Sequence, residues 1–270
     1  MSLYGKKDIE NLLDSDVQKA ISEIHVFSEI DSTNAEAARL IRDGRKGIQL
    51  VIADSQSAGK GRRGRNWVSP PASGLYLSLA YPFGLEADSL QGLSLITALS
   101  VHSCGKDLGA ENLQLKWPND ILVGNRKLSG ILLELHNDDD QIWVVFGIGV
   151  NYNLSNEEKE SIDRPVIDIR EILPDMPSRE DLAARIVDKL ISNIAIFTEV
   201  GFSFFHAAWN RYDRYQDSDI VVQNAGNRTI GRCQGVDESG ALLLLTAAGV
   251  KKISGGEIFP SVRAADEFVR

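Results

Sequence analysis

Residues 60 to 65, Lys-Gly-Arg-Arg-Gly-Arg, place four cations in six consecutive positions, with Gly59 before them and Trp67 just after. Glycine leaves backbone N–H groups open to an approaching ligand, and arginine forks take carboxylate or phosphate oxygens two at a time, so the stretch suits a small anion. A solvated basic loop or a minor nucleic-acid contact has the same local appearance. The run satisfies G-x-G-x-x-G, yet Pro70 and Pro71 follow where a dinucleotide-binding fold needs a helix. A Walker A loop is excluded as well, because Lys60 precedes Gly61 rather than Ser or Thr and Asp54 stands where the first glycine is required. Trp67 reads equally as a ligand wall or a core anchor.

Three further stretches carry candidate chemistry. Lys116-Trp117-Pro118-Asn119-Asp120 follows an apolar run, and Arg126-Lys127-Leu128-Ser129-Gly130 comes soon after. Polar side chains at a strand end, with proline fixing the turn, stand where α/β sheets hold ligands, although a structural turn explains them as well. In Gly147-Ile148-Gly149-Val150-Asn151 the glycines lie inside an apolar strand pattern, where they permit either a bulge or close backbone approach by a ligand. His25, His102, His136 and His206 have no metal-ligand spacing and are expected in strand, helix, loop and helix. No Ser, Cys or His arrangement suggests a covalent triad, and no metal site is legible. Cys104 and Cys233 lack C-x-x-C spacing and are expected in the core.

These residues need a framework, and hydrophobic periodicity supplies one. Residues 1 to about 24 are polar and weakly helical. Ile24 to Ile30 alternates as a half-buried strand does. A helix follows, with Ser32 or Thr33 as N-cap, a stripe of Ala35, Ala38, Leu40 and Ile41, and Gly44 at its end. Strands are predicted at Ile48–Ala53, Leu75–Tyr81, Leu113–Lys116, Leu128–Leu135 and Ile142–Val150, with a core helix over Ser89–Leu108 and a solvated hairpin tip at His136–Asp140. The stretch from Gly59 to Gly74 is irregular, and Pro165 to Pro177 reads as a surface connection. Ser178 with Asp181 forms a capping-box pattern for a helix running to about Val200. After Asp217 come short strands between Gly-rich turns, with helical periodicity returning at the tail. The pattern predicts a mixed-sheet α+β unit followed by a small β-barrel that packs on it.

Composition narrows the function classes. The 270 residues carry 29 Lys+Arg against 38 Asp+Glu, a net charge of −9, which opposes a protein whose overall field grips nucleic acid or an anionic membrane. Two cysteines fit a reducing compartment, and Ile142–Val150, the longest apolar stretch, is far shorter than the roughly 20 residues that span a bilayer. The expectation is a soluble cytoplasmic protein without membrane or nucleic-acid partners.

Taken in order, Ile30-Asp31-Ser32-Thr33-Asn34, Gln56-x-x-Gly59 through Trp67, Lys116 through Asp120, Lys127-x-x-Gly130 and Gly147-x-Gly149-x-Asn151 resemble the signature blocks of biotin protein ligases. Gly240-Ala241-Leu242 with Gly255-Gly256-Glu257-Ile258 is similar to that family's C-terminal domain. The resemblance spans roughly residues 24 to 260. It implies a catalytic domain related to class II aminoacyl-tRNA synthetases over residues 24–216, an SH3-like barrel over 217–270 and a preceding segment 1–23. It further implies that biotin and ATP form biotinyl-adenylate and that a lysine of a biotin carboxyl carrier domain then takes the acyl group, with Mg2+ accompanying ATP.

By the same resemblance, Ser32, Thr33, Asn34, Gln56, Gly59, Lys60, Gly61, Arg62, Arg63, Lys127, Gly130, Gly147 and Gly149 bind biotin. Arg62, Arg65, Trp67, Lys116, Asn119, Lys127 and Asn151 serve ATP and the adenylate. Arg62, Lys116, Asp120 and Lys127 are the catalytic candidates, Asp120 taking a proton from the incoming amine or orienting it. The basic loop is expected to be disordered when empty and to fold over biotin. Regulatory relatives carry a DNA-binding domain of about 60 residues, whereas 30 residues precede Asp31, so a monofunctional ligase is expected. Exposed sheet edges leave room for a homodimer. The rival readings are a lipoate or octanoate ligase of the same superfamily and, in a different class, a non-enzymic nucleic-acid-binding protein.

Overall fold

The computed structural model describes residues 4–84, 90–137, 141–224 and 226–259. Two short helices, α1 (Lys6–Leu12) and α2 (Ser15–Ala20), lead into β1 (Ile21–Ile30), α3 (Thr33–Arg42) and β2 (Ile48–Gln56). One 3-10 turn, Arg62–Gly64, interrupts the basic loop before β3 (Gly74–Gly84), α4 (Leu93–Asp107), β4 (Leu113–Lys116) and β5 (Asp120–Val123). The long strands β6 (Arg126–Asn137) and β7 (Gln141–Asn151) precede α5 (Asn156–Ser161), α6 (Ile169–Ile172), α7 (Arg179–Val200) and α8 (Ser203–Tyr212). The chain closes with β8 (Asp219–Asn224), β9 (Asn227–Val236), β10 (Leu242–Thr246), β11 (Gly249–Ile253) and β12 (Glu257–Phe259).

The first seven strands form a mixed sheet in the order β1-β2-β3-β7-β6-β5-β4, parallel between β1 and β2 and antiparallel elsewhere. Strand alternation gives the sheet two unlike faces. On one, Leu75, Leu77 and Leu79 of β3 and Val144, Phe146, Ile148 and Val150 of β7 pack with α4 and α7 into the main core. On the other, Val51, Ala80, Trp143 and Val145 meet Ala37, Leu40 and Ile41 of α3 in a smaller cluster. That second cluster stops where β7 reaches Gly147. The helix α4 is buried on nearly every side, and Thr97 and Ser100 satisfy their hydroxyls on the carbonyls of Leu93 and Ile96 one turn back.

The last five strands form an antiparallel sheet in the order β11-β10-β9-β8-β12. Among the described residues β11 and β12 remain its two ends, so the α+β mixed-sheet expectation holds while closure into a barrel is not seen. Ile220, Cys233, Leu242 and Ile258 of this sheet belong to the main core, which fits the expectation that so small a sheet packs on the larger unit. A backbone bridge ties Leu115 of β4 to Asp213 just after α8, and the Trp117 indole N–H donates to Gly240 O, in the turn before β10, at 3.2 Å.

Several expectations change. The N-terminal segment is helical as expected, in α1 and α2, but it is not wholly polar in setting: Tyr4, Ile9, Leu13 and Val17 are buried. In α3 the buried stripe is Ala37, Leu40 and Ile41 rather than Ala35 and Ala38, and Ser32 is the N-cap without a side-chain cap bond. Pro165–Pro177 is not a surface connection: Val166, Ile167, Asp168 and Ile169 are buried, because this segment closes against Lys127 through a parallel bridge. His136 lies in β6 rather than in a loop, and β5, α5 and β12 were too short to leave a periodic signal. Ser178 caps α7 as expected, accepting from the Asp181 N–H, and both cysteines are buried. The expected hairpin tip at Asp138–Asp140, the helix start at Ser89, the turn residue Ala225 and the tail 260–270 lie outside the described residues. Among the described residues no helix is long and apolar enough to cross a membrane.

Candidate active site

Beyond the α3 cluster, the same sheet face turns polar and glycine-rich. Gly147 and Gly149 keep regular pairing with β3 and β6, so they form no bulge, and each makes room for a side chain from across the groove. At Gly147 a Cβ would run into Asn34, and at Gly149 it would lie 2.5 Å from Trp67 Cε2. A Cβ at Gly130 would stand 2.9 Å from both Trp67 Cζ3 and Lys127 Nζ. The Trp67 indole therefore lies across Gly130 and Gly149, with Lys127 Nζ 5.2 Å from its ring centre. Its Nε1–H is buried without a protein acceptor among the described residues.

Two cavities meet at this indole. The smaller, of about 50 Å³, has Ser32, Thr33, Asn34 and Gln56 on its floor together with the three strand glycines, and Lys60 and Gly61 along its rim. Its polar groups are chained together. Gln56 Oε1 accepts from the Thr33 N–H at 2.8 Å while its amide donates to Ser69 Oγ at 2.9 Å, and Ser78 Oγ donates to Asn34 Oδ1 at 2.6 Å. Such a floor offers fixed donors and acceptors to a neutral polar ring. The larger cavity, of about 330 Å³, carries Arg62, Arg65, Lys116 and Lys127 opposite Asn151, Arg164 and Val166. Gly61, Arg62, Trp67, Asn119 and Lys127 line both cavities.

At the junction, Lys127 Nζ donates to Asp120 Oδ1 at 2.6 Å, and both side chains are largely buried. For Asp120, burial raises the pKa, but the ammonium groups of Lys127 and Lys116 outweigh it and hold the carboxyl below its ordinary value. Burial lowers Lys127, and brings Lys116 down from 10.5 to about 8, against the opposing pull of Asp120 and Glu257 on Lys116. Asn151 spends its amide on the carbonyls of Lys127 and Ile167, at 3.0 and 3.1 Å, and so clamps the backbone that carries Lys127. Asn119 does similar work: it accepts from Arg62 Nη1 at 2.9 Å and donates to Ile131 O at 2.9 Å. The turn holding Asn119 contains a cis Trp117–Pro118 bond.

The basic loop has a defined course. Arg65 makes a two-pronged pair with Glu257 at 2.9 and 3.1 Å, and Arg62 Nη2 donates to Gly256 O at 3.3 Å. Arg63 lines neither cavity; it points to Glu257 and Gln223 O on the C-terminal sheet. Gly59 lines neither cavity as well and packs against Trp67 O. All the other candidates from the sequence line one cavity or both. Sequence reasoning missed Arg164 and Val166, which reach the larger cavity from positions without local signature, and read Glu257 only as part of a family likeness, not as a lining residue.

This arrangement has counterparts. The model of the biotin/lipoate A/B protein ligase family matches residues 26–151, and that of the biotin protein ligase C terminal domain matches residues 220–259. The bifunctional ligase/repressor BirA of Salmonella typhimurium is 34% identical over 267 residues, covering 97% of this chain and 82% of the relative. The chain belongs to the biotin protein ligase family. A biotin–[acetyl-CoA-carboxylase] ligase of Paracoccus denitrificans is 30% identical over 87% of this chain and 99% of its own length. Among solved structures, the Aquifex aeolicus biotin protein ligase in complex with biotin and ATP superposes with a TM-score of 0.72 at 27% identity, covering 88% of this chain and 98% of that one.

Proposed function

We propose that this chain is an ATP-dependent biotin protein ligase that activates biotin as biotinyl-5'-AMP and transfers it to a lysine of a biotin carboxyl carrier domain. The observation that carries this reading is the meeting of two unlike cavities at Arg62 and Lys127. The smaller cavity, with its chained donors and acceptors and its glycine walls, takes the bicyclic ureido ring; the larger, cationic one takes the nucleotide. A biotin carboxylate oxygen then faces the α-phosphorus, forms the P–O bond there and expels pyrophosphate. Arg62, Lys116 and Lys127 offset the charge that builds up as two anions approach. In the second step the carrier lysine nitrogen attacks the acyl carbon, AMP leaves and the amine loses its proton.

With its pKa held low, Asp120 is a weak base at neutral pH, which favours its orienting the amine and Lys127 over taking the proton. The floor of the smaller cavity is built from sheet and the start of α3, so the wall freest to yield to the ring is the basic loop. Magnesium is expected with ATP. Among the described residues no group of three or more His, Cys, Asp or Glu gathers to hold a metal. The division at residues 23/24 and 216/217, closure of the last strands into an SH3-like barrel, a homodimer through an open sheet edge and a cytoplasmic setting belong to the same reading.

A lipoate or octanoate ligase would have no use for the chain of hydrogen bonds on the floor of the smaller cavity, and a site built to bond polar atoms rejects ligands that lack them. Pyrophosphate exchange into ATP tests the assignment. Exchange is expected with biotin and not with lipoate or octanoate; exchange with lipoate alone overturns the biotin reading, and exchange with no acid overturns the ligase.

A further inference from the structure

Glu134 stands on β6, on the strand face that carries Gly130 and two residues beyond Leu132, both of which line the smaller cavity. One oxygen, Oε2, accepts from Asn34 Nδ2 at 2.7 Å; the other, Oε1, lies 3.6 Å from Lys60 Nζ. Asn34 is buried and belongs to the rigid floor, at the start of α3 over Gly147. Lys60 belongs to the basic loop, half-exposed, at the end bridged to Asn66. A single carboxylate thus joins the floor of the smaller cavity to the basic loop at its rim.

We infer that Glu134 is a positioning residue that sets the loop against the floor of the biotin cavity, acting through Asn34 and Lys60 rather than on the ligand. An ionised carboxylate is an acceptor at both oxygens, which is what two donors on separate elements require. Towards Asn34 it fixes the amide: Nδ2 faces Glu134 and Leu132 O, so Oδ1 is left to accept from Ser78, and the hydrogen-bond polarity of the floor is set from this end. Towards Lys60 the pair is part-exposed and contributes little stability by itself. Its effect is on where the loop rests, and therefore on how tightly the loop closes on a bound ring.

Gln in place of Glu134 separates the two arms. Its carbonyl oxygen can still accept from Asn34, whereas its amide offers no attraction to the Lys60 ammonium. Ala removes both arms. The inference rests on the biotin reading, and calorimetric binding of biotin and of ATP to the full chain tests it. Glu134→Gln is expected to weaken biotin binding about fivefold and Glu134→Ala about thirtyfold, with ATP binding unchanged. In a Lys60→Met background, Glu134→Gln should add less than twofold, because the tether is already gone. Unaltered biotin binding in Glu134→Gln, an equal loss in both backgrounds, or a parallel loss of ATP binding would overturn it. Failure of the unsubstituted chain to bind biotin would instead sink the ligase reading. Thermal unfolding of each variant accompanies the titrations, and Glu134→Gln, isosteric and on a part-exposed residue, keeps the test available if the Ala variant folds poorly.

Discussion

Phe146 and Gly147 are neighbours on β7 and face opposite sides of one sheet. Phe146 is fully buried in the main core, 6.4 Å from the Phe83 ring. Gly147 faces the side where apolar packing ends and Asn34, Trp67 and Lys127 crowd onto bare backbone. The first face is closed by side chains meeting each other; the second is kept open by their omission. Stability and chemistry are thereby assigned to alternate residues of the same strand, and a substitution should injure one without the other.

The largest effect is expected on the closed face. Phe146→Ala should cost roughly 3 to 5 kcal/mol of stability, read as a lowered thermal midpoint, while the folded fraction keeps its affinity for biotin. A loss of affinity without loss of stability would break the division between faces. On the open face, Lys127→Ala should reduce biotin-dependent pyrophosphate exchange roughly 100- to 1000-fold. That change orphans the Asp120 carboxylate and destabilises the fold; adding Asp120→Asn should restore the midpoint but not the exchange. Recovery of exchange in the double variant would remove Lys127 from the chemistry.

A smaller loss is expected from Gly149→Ala, whose Cβ would displace the Trp67 indole; biotin affinity should fall about tenfold with little change in unfolding midpoint. The mildest test is pH. Lys116 keeps its proton in the unfolded chain up to its ordinary 10.5 but in the folded chain only to about 8. Between these values the unfolded state binds the extra proton, so this residue's contribution to stability rises with pH. ATP affinity should move oppositely, falling by up to about tenfold per pH unit above 8 as the ammonium is lost. Lys116→Arg should abolish that inflection in kcat/KM for ATP; an unchanged profile would separate Lys116 from the nucleotide.

Much of the site was legible as residue types. The density of cations at Lys60–Arg65, the polar run at Lys116–Asp120 and the strand glycines each depart from their local pattern, and a departure from pattern is a visible signal. The segment 154–168 was not legible: Val166 and Ile167 are apolar without period, and Arg164 is one charge among many. Its importance comes from pairing with Lys127, a contact across nearly 40 positions. Glu257 was legible as a family likeness but not as the partner of Arg65, 192 residues away.

The sequence by itself determined which segments alternate, which are continuously apolar, and that a locally cationic loop sits in a chain of net charge −9. Local spacing and side-chain chemistry suffice for these. The tertiary structure decided which cations face the cavities and which are spent on Glu257, that Asn119 and Asn151 brace the backbone and neighbouring side chains, and that Trp67 divides the groove in two. Those outcomes depend on distance and burial between segments brought together by packing, and burial is what turns Lys127 and Asp120 from two charges in a chain into a hydrogen-bonded pair beside the cavities.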